Sequence, residues 1–279
     1  MPPRFHAEHI GSLIRPSSLS QDGPRDVSSA VRDVLQAQIN LSITPLTNGE
    51  FPRANFFSAF FDKLDGFESH FIPIPTGFRA EIPVIRGAAA AGVFKGMPCP
   101  VATGRVAWKG FAFEQEWTQI REALADIAGP DEARFAHLLG QVKLTVPSPI
   151  VHHIRLKRGT AWTHGSGYTS DAQFFADLSA AYRSELRALH AAGCRYVQID
   201  DPDLTYFCDA SFLAALAADG VDPAALLAMY LRAHNDAIRD RPAGLAVGIH
   251  LCRGNMTDDL WLAKGSYENI AQRIFSELN

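Results

Sequence analysis

Apolar and polar residues alternate with a period of two in several short segments of the chain, and this pattern predicts β-strands. The alternation is clearest over residues 244–252, and residues 196–200 and 142–146 follow the same pattern. Weaker alternation in three further segments brings the number of predicted strands to about six: residues 6–12, 43–50 and 82–87.

Between these segments, apolar residues recur every three or four positions, which predicts amphipathic helices. The strongest of these periods covers residues 171–192, with Asp171 as the N-cap and Gly193 just after the end. The remaining helical periods are weaker or shorter: residues 223–238 behind Asp222, residues 266–278, residues 27–39 and residues 114–127. Residues 71–109 are rich in glycine and proline, and we predict them to be mostly irregular.

Strands that alternate with helices indicate βα units around a parallel sheet. A doubly wound nucleotide-binding sheet is disfavoured because no G-x-G-x-x-G turn occurs. Polar residues at the carboxyl ends of strands favour an α/β fold of the (β/α)8 TIM-barrel type. With about six of eight βα units predicted, we expect a single incomplete barrel domain over residues 1–279. Its open edges would allow self-association.

The overall composition changes this picture only by exclusion. The chain has 279 residues, of which 47% are hydrophobic and 10% aromatic, so it is not a disordered protein. The net charge of −4, without a Lys/Arg block, argues against nucleic acid as a partner. Four cysteines are too few for a disulfide framework.

Targeting signals are also not evident in the sequence. The N-terminus has no apolar core of a signal peptide. The most apolar long stretch, residues 211–231, is interrupted by charged residues, glycine and proline, so we expect no membrane span. A cytoplasmic location is the resulting expectation.

His250 and Cys252 are the sharpest candidates for chemistry. Because they are two positions apart on a predicted strand, they point to the same side. An imidazole beside a thiolate suits Zn²⁺. The pair by itself is more typical of a buried cysteine and a hydrogen-bonded histidine, since tetrahedral zinc needs further ligands.

Carboxylates form the second group of candidates. Asp200 and Asp201 end a predicted strand and could bind an amine or act as acid and base, although Asp201 could simply cap the next segment. Glu50 lies where a strand gives way to a loop and could equally be an exposed turn residue. Gly11, in a His-Ile-Gly-Ser segment, would let a ligand approach the backbone.

Other residues are assigned to packing or to loops. His152, His153 and His164 lie near several basic residues and could bind an acidic substrate tail, but a solvated loop is the favoured interpretation. Cys194 is expected to pack behind a helix, and Trp261 to anchor a loop.

Five short motifs, in this order, resemble the cobalamin-independent methionine synthase family: residues 9–12 (HIGS), 48–50 (NGE), 143–149 (KLTVPSP), 198–202 (QIDDP) and 250–255 (HLCRGN). The similarity is greatest to the short, single-barrel relatives of the catalytic C-terminal domain, and it covers nearly the whole chain. The resemblance implies a cytoplasmic, zinc-dependent methyltransferase of methionine biosynthesis. That enzyme moves a methyl group from 5-methyltetrahydrofolate polyglutamate to the thiol of homocysteine.

The resemblance also implies a role for each candidate. His250 and Cys252 would be zinc ligands, and Glu50 and Asp200 would be the catalytic carboxylates that hold the ammonium group of homocysteine. Three residues of the first motif would hold the substrate carboxylate: Ile10, Gly11 and Ser12.

The chain departs from the family at its C-terminal end. The family's other two zinc ligands, a glutamate and a cysteine, lie in barrel strands that have no counterpart before Asn279, so a truncated sequence is expected. Two alternatives stay open: a non-catalytic truncated paralogue, and a zinc-thiolate alkyltransferase that acts on a different thiol.

Overall fold

The computed structural model describes residues 7–19, 26–57, 60–79, 92, 95–254 and 263–279. Within these residues the chain forms seven α-helices and five β-strands. The strands are β1 (Leu64–Pro73), β2 (Gly96–Trp108), β3 (Lys143–Pro147), β4 (Tyr196–Asp200) and β5 (Ala246–His250). The helices are α1 (Val27–Asn40), α2 (Glu114–Ala128), α3 (Glu132–Gly140), α4 (Asp171–Ala191), α5 (Ala210–Ala218), α6 (Pro223–Ile238) and α7 (Glu268–Glu277).

The boundaries of the long helices follow from their capping residues. Helix α4 begins one residue later than its cap, Ser170, whose hydroxyl accepts the backbone N–H of Gln173. The predicted cap, Asp171, is instead the first helical residue. Gly193 follows the end of the helix with a φ of 104°, a conformation that glycine adopts without strain. The predicted start of α6, with Asp222 as cap and Pro223 in the first turn, is confirmed.

Strands β3, β4 and β5 form a parallel sheet in that order. Pro147, Asp200 and His250 lie side by side in the register, so the carboxyl ends of the three strands are level. The predicted strand at residues 43–50 contributes only an isolated parallel bridge between Leu46 and Val142. The predicted strand at residues 6–12 is wrong for its described part, and the one at 82–87 lies outside the described residues.

The structure therefore confirms an α/β fold with a parallel sheet but not the closed (β/α)8 barrel. In the described part of the chain, the parallel sheet has three strands rather than the expected six. Strands β3 and β5 are the outer strands of this sheet. Beyond β3, the described residues extend the sheet by the single bridge between Leu46 and Val142.

Strands β1 and β2 form a long antiparallel hairpin. The expectation that residues 71–109 are mostly irregular is wrong for the described part of that range, and residues 80–91 and 93–94 lie outside the described residues. The glycines that suggested loops are positions where two backbones approach too closely for a side chain. A Cβ on Gly66 would lie 2.4 Å from the carbonyl oxygen of Arg105, and one on Gly96 would lie 2.3 Å from that of Ile72. Glycine there permits the strand pairing instead of interrupting it.

Helix α4 ties the parallel sheet to the hairpin. Its apolar stripe is buried in the main core, as the helical period predicts. The Tyr182 hydroxyl donates to the carbonyl of Pro147 at 2.8 Å, which fixes the end of β3. The buried carboxylate of Glu185 accepts from the Trp108 indole at 2.7 Å and from the backbone N–H groups of Ala112 and Phe113 at 3.0 Å. One glutamate thus fixes the end of the hairpin and the start of α2.

The most apolar stretch of the chain folds into α5 and α6. The sequence did not predict α5 or α3, because helices of nine residues give too few repeats of the apolar period. In the part of the chain that is described, no single helix is long and apolar enough to cross a membrane. Only α5 and α6 taken together pass that test of length and composition, and they are bent by 105°.

Candidate functional site

The candidate residues meet at the carboxyl end of the parallel sheet. Asp200 and His250 are register partners on neighbouring strands, so their side chains leave the sheet at the same level. Cys252 follows two residues later, and its carbonyl accepts a hydrogen bond of 2.9 Å from the Thr205 hydroxyl. The tertiary structure thus brings together three candidates that the sequence placed at the ends of two strands.

Glu50 is buried beside these strands with only 3% of its surface exposed, which rules out an exposed turn residue. Its Oε1 accepts a hydrogen bond of 2.5 Å from the Thr145 hydroxyl of β3, and its backbone N–H donates to the side chain of Asn48. Its φ is 57°, in the left-handed region that costs a non-glycine residue free energy. Strain of this kind persists where surrounding contacts impose it, as they do at functional sites.

The N-terminal segment, residues 9–12, does not pair with the sheet as a strand. Side chains of the sheet and of Glu50 hold it by hydrogen bonds instead. Lys143 on β3 donates to the carbonyl of His9 at 2.7 Å, and Gln198 on β4 donates to the carbonyl of Ile10 at 3.0 Å. The Ser12 hydroxyl donates to the Glu50 carboxylate. Ile10 and Ser12 remain exposed, so the segment faces solvent beside Glu50.

Gly11 has a specific steric function in this arrangement. A Cβ at this position would lie 2.7 Å from Oε1 of Glu50 and 3.0 Å from a methyl carbon of Thr145. The sequence suggested that Gly11 makes room for a ligand. In the structure, the group that approaches its backbone most closely is the Glu50 carboxylate.

Replacing Gly11 with alanine should therefore displace the Glu50 carboxylate. Binding of homocysteine, the substrate that the motif resemblance implies, should weaken by about 10–100-fold, as is common when a group that orients a site is disturbed. The fold should survive, because the segment is on the surface of the sheet. The matched control is Gly140→Ala, where no atom lies within 4 Å of the added Cβ. Binding isotherms and thermal melts of both variants test this, and equal binding by Gly11→Ala and wild type would contradict it.

Arg53 is a buried guanidinium that the sequence did not single out. It donates to Glu116 from Nε at 2.9 Å and from Nη2 at 2.8 Å, and it lies 3.7 Å from the Glu50 carboxylate. It also donates to the hydroxyl and the carbonyl of Thr145. Burial opposes its charge, but Glu116 and Glu50 more than offset this and raise the pKa of Arg53 above its usual value. Arg53 therefore holds Glu50 against β3.

Burial and neighbouring charged groups shift the pKa of the Asp200 carboxyl. Burial raises the pKa of the Asp200 carboxyl, the Gln198 hydrogen bond of 2.6 Å opposes this, and the charge of Glu50 adds to the rise. The charges of Arg53 and Lys143 oppose it, and the net result is a pKa of about 7. Two carboxylates in one low-dielectric site repel each other unless a cation lies between them. The pair is therefore suited to bind a cationic group such as an ammonium.

His250 and Cys252 match zinc in donor type but not in number. Burial lowers the pKa of the His250 imidazole, and burial with the charges of neighbouring aspartates raises the pKa of the Cys252 thiol. Those carboxylates disfavour a bare thiolate and favour a cation beside the sulfur. Among the described residues, however, no group of three or more His, Cys, Asp or Glu side chains could hold a metal ion. The pair supplies two of the four ligands that a zinc site needs.

Asp201 belongs to a separate buried network. Its Oδ2 accepts from the Ser148 hydroxyl at 2.6 Å and lies 2.6 Å from Nε2 of His234. Its Oδ1 accepts the backbone N–H of Leu204, so the capping interpretation is confirmed. This network anchors the loop after β4 and so fixes the end of the strand that carries Asp200.

The interpretation of the His152–His153 region as a solvated loop is wrong. His152 is buried edge-on against Phe57 and Phe61, with ring centroids 5.4 and 4.6 Å away. His153 lies between the Tyr230 hydroxyl at 2.8 Å and Asp171 at 3.3 Å. Of the three histidines, His164 alone is exposed. Cys194 is buried as expected, and Trp261 and Asn255 lie outside the described residues.

Burial, and then the charge of Arg155, lower the pKa of His152 to about 3. Unfolded histidine has a pKa near 6.5, so between these values the unfolded state binds the extra proton. The contribution of His152 to stability is therefore present above pH ~6.5 and is lost as pH falls towards 3. In urea unfolding from pH 7 to 4, His152→Phe should lose less stability than wild type. His164→Phe should behave as wild type, and identical pH slopes in all three proteins would contradict the assignment.

Three supporting residues of the site were not assigned from the sequence: Arg53, Lys143 and Gln198. A signal was present for Lys143, which is a charged residue at an inward position of an otherwise apolar strand and is 1% exposed. Arg53 follows Glu50 by three residues, a spacing that permits an ion pair. Their partners, however, come from distant parts of the chain, and the sequence alone does not reveal those contacts.

The comparisons with known proteins agree with this geometry. A protein from Listeria monocytogenes, provisionally described as a vitamin-B12-independent methionine synthase, aligns over 99% of this chain and 70% of its own, with a TM-score of 0.63 and 24% identity. A B12-independent methionine synthase from Shewanella sp. W3-18-1, solved in complex with selenomethionine, aligns over 90% and 62%, with a TM-score of 0.56 and 17% identity. The chain has the methionine synthase fold.

Two curated proteins are similar to the chain in sequence. They are the uncharacterized proteins YxjH and YxjG of Bacillus subtilis (strain 168), each 28% identical over 99% of the chain and over 68% and 69% of their own lengths. No family model matches the chain. The resemblance found in the sequence motifs is thus confirmed at the level of the fold.

Proposed function

We propose that this chain is a methyltransferase that moves a methyl group from 5-methyltetrahydrofolate to the thiol of homocysteine. The observation that carries the proposal is the grouping of Glu50, Asp200, His250 and Cys252 at the carboxyl end of one parallel sheet. Their charges interact: Glu50 raises the pKa of both Asp200 and His250, and Asp200 raises that of Cys252. A site with this composition suits an amino acid that carries a thiol.

The amino-acid part of the substrate would be held by groups that the structure already positions. The carboxylates of Glu50 and Asp200 would take the ammonium, whose charge relieves their mutual repulsion. The exposed segment at Ile10 to Ser12 would take the carboxylate through its backbone N–H groups. Arg53 would hold the carboxylate of Glu50 in place, and Lys143 and Gln198 would hold the N-terminal segment. The groups that bind the substrate ammonium and those that bind its carboxylate, here called the substrate clamp, would thus keep their relative positions.

His250 and Cys252 would be two of the ligands of a zinc ion, and the remaining protein ligands would come from other residues of the chain or from a second copy. Bound zinc lowers the pKa of a thiol, which is about 8.5 when free, so that the thiolate dominates at neutral pH. The role of the protein is then to place the sulfur: the substrate clamp fixes one end of the substrate, and the other end extends towards Cys252. Asp200 and Glu50 are themselves buried.

The decisive experiment combines metal analysis with a methyl-transfer assay. The purified, dialysed chain should contain about one zinc per protein, and it should form methionine from homocysteine with mono- or polyglutamylated 5-methyltetrahydrofolate. Turnover with other thiols but not with homocysteine would support the alternative alkyltransferase. Zinc-free protein without turnover for any thiol or donor would contradict both and favour the non-catalytic paralogue.

A further inference from the structure

A cavity of about 260 Å³, separate from the candidate site, lies between the loop after β3 and the start of α6. None of Glu50, Asp200, His250 or Cys252 is among the described residues that line it. The lining combines charges of both signs with an apolar wall formed by Val221, Leu226 and Met229. Its volume is below the ~300–1,000 Å³ that is usual for ligand sites, so only a small ligand fits.

The cationic side of the cavity is formed by two arginines of different character. Arg79 is rigid: its side chain is 4% exposed, Nε donates to the carbonyl of Ile154 at 3.1 Å and Nη1 to Asp219 at 3.3 Å. Arg158 is exposed at the rim. A fixed guanidinium beside an adjustable one is suited to a carboxylate, which accepts hydrogen bonds on both oxygens.

The anionic side is formed by Asp171 and Asp222. Asp222 caps α6 by accepting the backbone N–H of Ala224. Asp171 is fixed by contacts to a single oxygen. Oδ1 accepts from the Trp162 indole at 2.8 Å and lies 3.3 Å from Nε2 of His153. Both contacts use Oδ1, so within the described part of the chain Oδ2 is left as an acceptor. Burial opposes ionisation, but the His153 hydrogen bond and charge lower the pKa of Asp171 to about 2, and the group is charged at neutral pH.

We propose that this cavity binds an apolar α-amino acid as a zwitterion. Its carboxylate would bind the two arginines, its ammonium would bind Oδ2 of Asp171, and its side chain would pack on the apolar wall. A simple organic anion fits less well, because it would leave the Asp171 charge facing an apolar group. This second amino-acid site is independent of the proposed methyl transfer.

The test is isothermal titration calorimetry of the full chain with L-leucine as probe. Ala225 lines the cavity at an exposed position of α6, so Ala225→Trp should fill the cavity and abolish binding. Its neighbour Ala224 is also exposed and is not among the lining residues, which makes Ala224→Trp the matched control. Thermal melts verify that both variants fold.

Two analogues of leucine separate the charge contacts. L-Leucinamide lacks the carboxylate and 4-methylpentanoate lacks the ammonium, and each should bind about tenfold more weakly or worse, as loss of a charged hydrogen bond predicts. Arg158→Gln should weaken L-leucine and leave leucinamide unchanged. Glu50→Gln should leave L-leucine binding unchanged, because Glu50 lies in the other site.

Three results would overturn the proposal. The first is equal binding of L-leucine by wild type and Ala225→Trp, the second is absence of binding to wild type, and the third is loss of binding in Glu50→Gln alone. The last result would place the amino acid in the Glu50 site. Equal binding of 4-methylpentanoate and L-leucine would overturn the role of Asp171. None of these outcomes depends on methyl transfer.

Discussion

Replacing Cys252 with serine should remove bound zinc and thiol-dependent methyl transfer together. The Cys252 sulfur is half-buried, and the charges of Asp200, Asp201 and Asp203 around it favour a cation at the sulfur. Serine keeps the shape of the side chain but is a poor zinc ligand. Since changes to residues behind the ligands already cost about 10–100-fold, loss of a ligand should cost more than about 100-fold in metal affinity and in turnover.

Cys194→Ser is the matched control for this variant. Cys194 is also a cysteine without a disulfide, but it is buried behind α4, where its sulfur donates to the carbonyl of Tyr196 at 3.3 Å. A serine hydroxyl can make the same hydrogen bond, so zinc content and turnover should be nearly intact. The zinc-to-protein ratio and the rate of methionine formation are measured on both variants. Full activity of Cys252→Ser, or equal losses in both variants, would show that the zinc assignment is wrong.

Replacing Arg53 with methionine should be the most destabilising single change in the candidate site. Arg53 is the buried cation between two buried carboxylates, Glu50 and Glu116. Removing one partner of a buried ion pair leaves an uncompensated charge in a medium of low dielectric constant, which costs about 3–5 kcal/mol. Arg53 also holds Glu50 against β3, so without it the proposed binding of the substrate ammonium should fail even where the fold survives.

Two further variants show whether this loss is electrostatic. In the double variant Arg53→Met/Glu116→Met one of the stranded carboxylates is also removed, so much of the stability should return. Arg32→Met removes an exposed pair with Asp126 on the surface, and its unfolding midpoint should hardly change. Urea unfolding of the three proteins measures these effects. If Arg53→Met unfolds at the same urea concentration as wild type, Arg53 does not neutralise the site.

The sequence predicted the local elements that carry their own signal. Helix α4 has a long apolar period with a glycine after it, and strands β3, β4 and β5 have strict alternation. The predicted cap of α4 was one residue too late, at Asp171 instead of Ser170. The hairpin was missed because its glycines lie at close contacts between distant backbones, which no local pattern reveals. Short helices such as α3 were missed because nine residues hold too few repeats.

The candidate site shows the same division. His250, Cys252, Asp200 and Glu50 were identified from the sequence, because polar residues at strand ends and soft metal donors two positions apart have a chemical meaning before any fold is known. Only the tertiary structure decided which groups support them. Arg53 reaches Glu116 across 63 residues, Lys143 reaches His9 across 134, and Gln198 reaches Ile10 across 188.

The sequence by itself therefore determined the α/β class, the strand-end positions of the candidate residues and the resemblance to methionine synthases, since each depends on residue type and local spacing. The tertiary structure decided that Glu50 is buried and strained, that Gly11 leaves space for its carboxylate, and that Asp201 faces a different network from Asp200. These properties depend on which distant groups share a buried volume. An unpaired charge in a buried site costs several kcal/mol of free energy, so the buried charged groups are arranged in pairs.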